Sequence, residues 1–139
     1  MSTTTRPELS ENNKWWIPKH RYYELRHFCL QYPDWKQSLE DIDGVISARD
    51  DRVNEGKTGD PTYAFAQARL FYSQRMKLIE DTAYEACNHQ FWYMFLVKAV
   101  TEAKSYDVLE ASHGIMPISR NEWYILYRRF FWLLDKKRG

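Results

Sequence analysis

The sequence predicts an all-α fold, a compact helical domain of about five or six helices, on three observations. Apolar residues recur every three to four positions along most of the chain, which is the spacing of amphipathic helices. No stretch shows the strict alternation of a half-buried strand. Glycine and proline, which interrupt helices, cluster in a few places such as Pro33, Gly59 and Gly114. We therefore expect helices joined by short connections.

The chain of 139 residues is long enough for one domain with its own core. Residues 1–13 are polar and predict a disordered arm. Residues 14–139 predict a single helical domain. Within it, residues 14–60 hold the N-terminal helices and an acidic loop, and residues 61–139 hold a long helix and a C-terminal helix-turn-helix-like element.

In the first half of the domain the sequence predicts two helices and a loop. One helix is expected over residues 19–31, because its apolar residues share one face. Pro33 ends that helix and starts a second, short one that carries Trp35. Gly44 and then residues 50–60 predict a polar connection, a loop or a hinge.

A long central helix is predicted after this loop. Asp60 can cap its first turn, and Pro61 fits the first helical position because no partner is needed there for an N–H group. No glycine or proline follows until after Asn88, so the helix has some 27 residues and is about 40 Å long. A helix of this length is a candidate dimer interface, or a platform against which both ends of the fold pack.

The last fifty residues predict a DNA-reading element. An apolar helix over residues 90–104 precedes a short helix over 105–114, a break at 115–118 and a final helix. That final helix begins with a capping box, in which Ser119 accepts from the third amide and Glu122 reaches back to the Ser119 N–H. This order of parts is that of a helix-turn-helix, which places one helix in a major groove.

The final helix has a core stripe and a polar side. The predicted core stripe holds Trp123, Leu126 or Tyr127, Phe130, Leu133 and Leu134. The predicted base-reading residues are Arg120, Asn121, Tyr124 and Arg128, since Arg and Asn bond guanine and adenine edges. The predicted phosphate contacts are Arg129, Lys136, Lys137 and Arg138. The alternatives are an ordinary solvated first turn and a basic tail that interacts favourably with the helix dipole.

Charge is unevenly distributed along a chain whose net charge is +1. Residues 113–139 hold six basic and two acidic residues, a net of +4, while residues 40–60 hold three basic and seven acidic ones, a net of −4. The basic pole suits a module that presents its C-terminal end to phosphates, and the alternative is two solvated charge clusters.

From the sequence we expect no signal for export or membrane insertion. Its N-terminus lacks an apolar core, and its longest apolar run, residues 91–97, is far too short to span a bilayer. Cys29 and Cys87 fit a reducing compartment with both thiols free or buried. We therefore expect a protein of the cytoplasm with no membrane partner.

Three segments resemble a known group of proteins. Residues 96–106 (LVKAVTEAKSY), residues 128–138 (RRFFWLLDKKR) and residues 22–35 (YYELRHFCLQYPDW) are similar to small phage and prophage late-gene transcriptional regulators with a sigma-like C-terminal helix-turn-helix. The resemblance implies a transcription regulator that binds double-stranded DNA through its C-terminal half. On this hypothesis the aromatic N-terminal half contacts RNA polymerase or another host protein, and we expect a homodimer in the cytoplasm of a bacterial host cell.

A second hypothesis rests on the aromatic residues, which make up 17% of the chain. Tyr and Trp are favoured at protein interfaces, and not all of these rings fit inside so small a core. The candidate interface residues are Trp15, Trp16, Tyr23 and Trp92. On this hypothesis the protein is a phage-encoded inhibitor of a host protein, such as a nucleic-acid-targeting defence enzyme.

Catalysis and metal binding find little support in the sequence. His27 and Cys29, like Cys87 and His89, are two positions apart, so on a helix each pair points in opposite directions and cannot hold one ion. No phosphate-binding glycine loop or nucleophile motif is present. We expect no enzyme activity, no cofactor and no metal.

Overall fold

The computed structural model describes residues 14–50 and 60–139, and this part of the chain forms six α-helices and no strand. The helices are α1 (Lys19–Leu30), α2 (Tyr32–Asp50), α3 (Asp60–Ala86), α4 (Tyr93–Glu102), α5 (Tyr106–His113) and α6 (Arg120–Arg138). The predicted all-α class with a long central helix is confirmed. The predicted arm at residues 1–13 and most of the predicted loop, residues 51–59, lie outside the described residues.

One apolar core joins α1, α4, α6 and the second half of α3. Its largest fully buried side chains include Tyr22 on α1, Ile79 on α3, Leu96 on α4 and Phe130 on α6. Burying residues of this size away from water is the main favourable term in folding. The core therefore fixes the positions of α3 and α6 relative to each other.

The second and third helices form an antiparallel pair. The Tyr32 hydroxyl donates a hydrogen bond to Glu80 near the start of α2, and Arg69 pairs with Asp43 farther along it. As the residue number rises on α2, its partner's number falls on α3, which defines the antiparallel register. The first buried side chain on α3 within the described residues is Ile79, so only the second half of α3 enters the core.

The structure corrects the sequence prediction for α2. A short helix was expected, with Gly44 in the polar connection, but α2 has 19 residues and Gly44 lies within it. Glycine costs up to about 1 kcal/mol relative to alanine inside a helix. The half-buried Ile42 and Ile46 on either side of Gly44 and the Arg69–Asp43 ion pair favour helix formation here and outweigh that cost. Tertiary contacts therefore override a local breaker.

The turn between α3 and α4 and the end of α4 use the left-handed backbone region. Asn88 has φ of 55°, His89 of 63° and Ala103 of 55°. The apolar helix predicted over residues 90–104 spans only Tyr93–Glu102, and Ala103 ends it because a left-handed residue cannot continue a right-handed helix. Within residues 14–50 and 60–139, no helix combines the length and the apolar character that crossing a bilayer requires.

Candidate nucleic-acid interface

Each of the last two helices begins with a serine cap. The Ser105 hydroxyl accepts a hydrogen bond from the Val108 N–H at 3.3 Å, and the Ser119 hydroxyl accepts one from the Glu122 N–H at the same distance. The second bond is the first half of the predicted capping box. The other half differs. The Glu122 carboxylate accepts a hydrogen bond from the Ser119 hydroxyl at 3.2 Å, whereas the expected donor was the Ser119 backbone N–H. The predicted start of α6 is confirmed.

The connection between α5 and α6 is a fixed turn of six residues, 114–119. The Tyr106 hydroxyl donates to the Ile118 carbonyl at 2.8 Å, and Met116 is buried beneath the turn. The Tyr106 ring also lies 6.0 Å from the Trp123 ring, which joins the first turns of the two helices. The order of parts is that of a helix-turn-helix, with a turn longer than the usual three or four residues.

The first turn of α6 exposes Arg120 and Asn121, the two residues predicted to read bases. Arg120 forms an ion pair with Asp107 of α5 at 2.5 Å, and its guanidinium lies 4.8 Å from the Tyr106 ring centre. Hydrogen bonding to Asp107, and secondarily to Tyr124, raises the pKa of Arg120. Its charge is therefore held in place at the junction of α5 and α6.

Tyr124 and Arg128, the other two predicted base-reading residues, are half-buried on the following turns of α6. The Nε atom of Arg128 is shielded from solvent and has no hydrogen-bond partner among the described residues. A buried N–H group without an acceptor costs about 1–3 kcal/mol. Arg128 is thus held at a cost to stability.

The four residues predicted to contact phosphates are engaged by the protein itself. Arg129 donates to the Asn88 side chain at 2.9 Å and lies near the Trp15 ring. Lys137 pairs with Glu85 at 2.9 Å. The Lys136 ammonium lies 4.3 Å from the Trp132 ring centre, and the Arg138 guanidinium 3.8 Å from that of Phe28. The sequence could not show the contacts of Arg129, Lys137 and Arg138, because their partners lie far away along the chain.

The rear half of α6 is anchored, so its start is held rigidly. Phe130, Phe131 and Leu134 are fully buried, and Arg21 of α1 bonds the Asp135 carboxylate at 2.5 Å. The predicted core stripe is confirmed except for Leu133, which is only half-buried. Phe131 takes its place in the core, with its ring 5.1 Å from that of Tyr22.

The aromatic residues predicted to form a protein interface are half-buried against their own chain. These are Trp15, Trp16, Tyr23 and Trp92. The Trp15 ring packs edge-on against Trp132 at 5.0 Å, and Tyr23 packs beside Tyr22 at 5.4 Å. Their rings therefore serve the intramolecular packing shown here.

Other apolar side chains are far more exposed. Phe91 is 80% exposed and Met94 is 65% exposed, both close to the left-handed turn between α3 and α4. Both residues lie within the apolar helix predicted over residues 90–104, and neither is among the four predicted interface residues. Asn88 was the available signal for the turn that separates α3 from α4, since asparagine tolerates the left-handed backbone region.

Both thiols lie inside the core and both neighbouring histidines lie outside it. Burial raises the pKa of Cys29 well above its ordinary value and that of Cys87 to about 12. His27 and His89 are exposed. Across the described helices and turns, no three His, Cys, Asp or Glu side chains come together as a set of metal ligands.

Comparison with protein-family models, with curated proteins and with solved structures finds no match for this chain.

Proposed function

We propose that this protein is a phage-type transcription regulator that binds duplex DNA with the first turns of α6. The observation that carries the proposal is the exposed pair Arg120 and Asn121 at the capped start of a helix whose rear half is buried. In this proposal the protein acts as a homodimer in the cytoplasm of a bacterial host, with RNA polymerase or another host protein as a further partner.

A groove-entering helix must hold its side chains rigidly, and the anchoring of α6 supports this role. Side chains that read bases need a fixed position, since a bidentate contact tolerates little displacement. Phe130 and Leu134 fix the rear half of α6, and Ser119 caps its start. Free N–H groups at a helix start also favour a nearby phosphate.

The ion pair between Arg120 and Asp107 does not prevent DNA contact. Both side chains are largely exposed, and an exposed ion pair contributes little to stability. A bidentate contact between Arg and guanine is worth about 1–3 kcal/mol of discrimination. Arg120 can therefore exchange Asp107 for a base, while Asn121 offers an amide to adenine.

The predicted DNA contacts at the two ends of α6 do not fit within one groove. Arg120 and Arg138 are 18 positions apart, which is about 27 Å along a helix. The major groove is only about 12 Å wide. We therefore assign base contacts to the first turns of α6 and no base contact to Lys136, Lys137 or Arg138.

The electrostatics of the site favour few phosphate contacts. Asp107 is paired with Arg120, Glu122 is exposed on the same helical turn as Arg120, and the basic residues at the end of α6 already have intramolecular partners. Each phosphate contact adds roughly one unit to the slope of affinity against salt concentration. We therefore expect a shallow salt dependence and reliance on base contacts.

The test compares duplex binding by the wild-type chain and by the Arg120→Ala, Arg128→Ala double variant, using fluorescence anisotropy on a duplex selected from a random pool. Losing at least ~1 kcal/mol per contact weakens binding about thirtyfold or more. The matched control is Lys36→Ala with Lys77→Ala, which removes the same charge from α2 and α3 and should bind normally. Equal affinities for the wild type and the first variant contradict the proposal, as does a selection that recovers no duplex.

A second candidate function, inhibition of a host protein, is favoured by the exposure of Phe91 and Met94. Both are large apolar side chains left exposed three positions apart, and exposed apolar patches often mark interaction sites. A Phe91→Asp, Met94→Asp variant separates the two hypotheses. If the protein is an inhibitor, this variant loses the host partner and the Arg120→Ala, Arg128→Ala variant keeps it, both measured with nuclease present. If the protein is a DNA-binding regulator, the arginine variant loses duplex binding and the Phe91→Asp, Met94→Asp variant keeps it.

A further inference from the structure

Two tryptophan rings, surrounded by three cations, lie in contact where the segment before α1 meets α6. The Trp15 ring packs edge-on against the Trp132 ring, with 5.0 Å between their centres, and both side chains are half-buried. The Lys14 ammonium lies 4.8 Å and the Arg129 guanidinium 5.7 Å from the centre of the Trp15 ring. The Lys136 ammonium lies 4.3 Å from the centre of the Trp132 ring. We call these two rings and three cations the tryptophan cluster.

Three parts of the chain build the tryptophan cluster. Arg129, Trp132 and Lys136 are three and then four positions apart on α6, so they share one side of that helix. Trp15 comes from the segment before α1. The Asn88 side chain, in the turn between α3 and α4, accepts a hydrogen bond from Arg129 at 2.9 Å. The tertiary fold therefore holds these side chains together.

The protein does not neutralise the charges of the cluster. Within residues 14–50 and 60–139, no carboxylate forms an ion pair with any of its three cations. Glu85 and Asp135, which lie close to the cluster along the chain, pair with cations outside it. A ring or an amide holds a cation in place but carries no net charge. Three positive charges therefore remain, and the path through the two ring centres places them within about 15 Å of one another.

We propose that the tryptophan cluster binds a single strand of nucleic acid, with its cations on successive phosphates and a base against the tryptophan rings. Charges spread over this distance suit a chain of phosphates better than one phosphate group, since a strand carries one phosphate about every 3.4 Å. The rings favour a single strand over a duplex. The bases of a single strand are free to lie against an aromatic side chain, whereas those of a duplex are stacked on one another.

This single-strand site is separate from the duplex contacts proposed for the first turns of α6. Arg129 and Lys136 follow Arg120 by nine and sixteen positions, which at 3.6 residues per turn places both on the opposite side of the helix. A duplex held by Arg120 therefore does not reach the cluster through the same groove. The site does not rest on the proposed function, so the two proposals fail separately.

Fluorescence anisotropy of the full chain with a labelled oligothymidylate tests the site. At about 50 mM salt the wild type should bind with a dissociation constant of about 100 µM or lower. The slope of log affinity against log salt should be roughly −2, from three phosphate contacts at about 0.7 each. The Lys14→Gln, Lys136→Gln variant should bind at least about tenfold more weakly, with a slope of roughly −0.7. Both lysines are exposed, so circular dichroism and thermal unfolding of the variant should match the wild type.

The matched control is Lys77→Gln with Lys137→Gln, which lowers the net charge by the same two units. Its lysines pair with Asp81 at 3.1 Å and with Glu85 at 2.9 Å, so it should keep the slope and most of the affinity of the wild type. An equal loss of affinity in the two double variants shows a general charge effect and overturns the site. A wild-type chain that binds no strand at this salt concentration also overturns it.

Two further nucleic acids of the same length test the choice of ligand. An abasic strand keeps the phosphates but offers no base to the rings, so it should bind at least about fivefold more weakly than the oligothymidylate. A duplex of unselected sequence should also bind more weakly than the single strand, because its bases are stacked. Equal affinity for the abasic strand, or an affinity for this duplex that matches that for the single strand, overturns the proposal.

Discussion

Replacing Arg128 with methionine should leave the protein as stable as the wild type or more stable. The Arg128 Nε–H is shielded from solvent without an acceptor among the described residues, at a cost of about 1–3 kcal/mol. Methionine keeps the aliphatic packing of the side chain and a similar helix propensity, and it removes the buried donor. Since the exposed part of the guanidinium also loses its solvation, we expect a gain of about 0–2 kcal/mol in the free energy of unfolding.

Urea unfolding followed by tryptophan fluorescence measures this change, and thermal unfolding should show a rise of up to about 6 °C. The matched control is Arg21→Met, in which the lost guanidinium is paired with Asp135 and Glu24, and which should cost about 1 kcal/mol. If Arg128→Met loses as much stability as Arg21→Met, the buried donor is satisfied in solution and the reasoning fails. The DNA-binding proposal also predicts that Arg128→Met weakens duplex binding, so the stability and the DNA affinity of this variant move in opposite directions.

Three further predictions concern the core, one helix and the titration of buried groups. Phe131→Ala should cost about 3–5 kcal/mol in urea unfolding, and Leu133→Ala clearly less; equal losses would contradict the placement of Phe131 in the core. Gly44→Ala should add up to about 1 kcal/mol, because no atom lies within 4 Å of the new methyl group, and a lower melting temperature would argue against a helix there. Burial raises the pKa of Tyr127 well above 10.0 and that of Cys87 from 9.0 to about 12. The contribution of both groups to the free energy of unfolding is therefore fully present below pH 9 and is lost as the pH rises. Free energies of unfolding that stay constant from pH 8 to 11 would refute this.

Local signals predicted the helices of this protein well. The start of α6 follows from Ser119 and Glu122, whose capping interactions need only four consecutive residues. The 27 residues of α3 follow from an uninterrupted stretch of helix formers, and its predicted cap, Asp60, proved to be the first helical residue. Such features depend on neighbours in sequence, and the sequence displays them directly.

Tertiary contacts account for what the sequence did not predict. The cations at the end of α6 read as free phosphate ligands, but Glu85 and Asn88, some 40 to 50 positions earlier, engage Lys137 and Arg129. Phe131 lies at the edge of the periodic stripe, and only the position of Tyr22 on α1 shows that it is buried. A pattern within one helix cannot reveal which partner another helix brings.

The division of α3 between the core and the α2 pair has a consequence for backbone dynamics. Amide hydrogen exchange occurs through local opening, whose free energy follows the number of buried contacts. Amides near Ile79 and Ala83 should therefore exchange only through global unfolding, while those near Leu70 should exchange through smaller openings in which α3 frays from its first turns. One uninterrupted helix would thus show graded protection along its length.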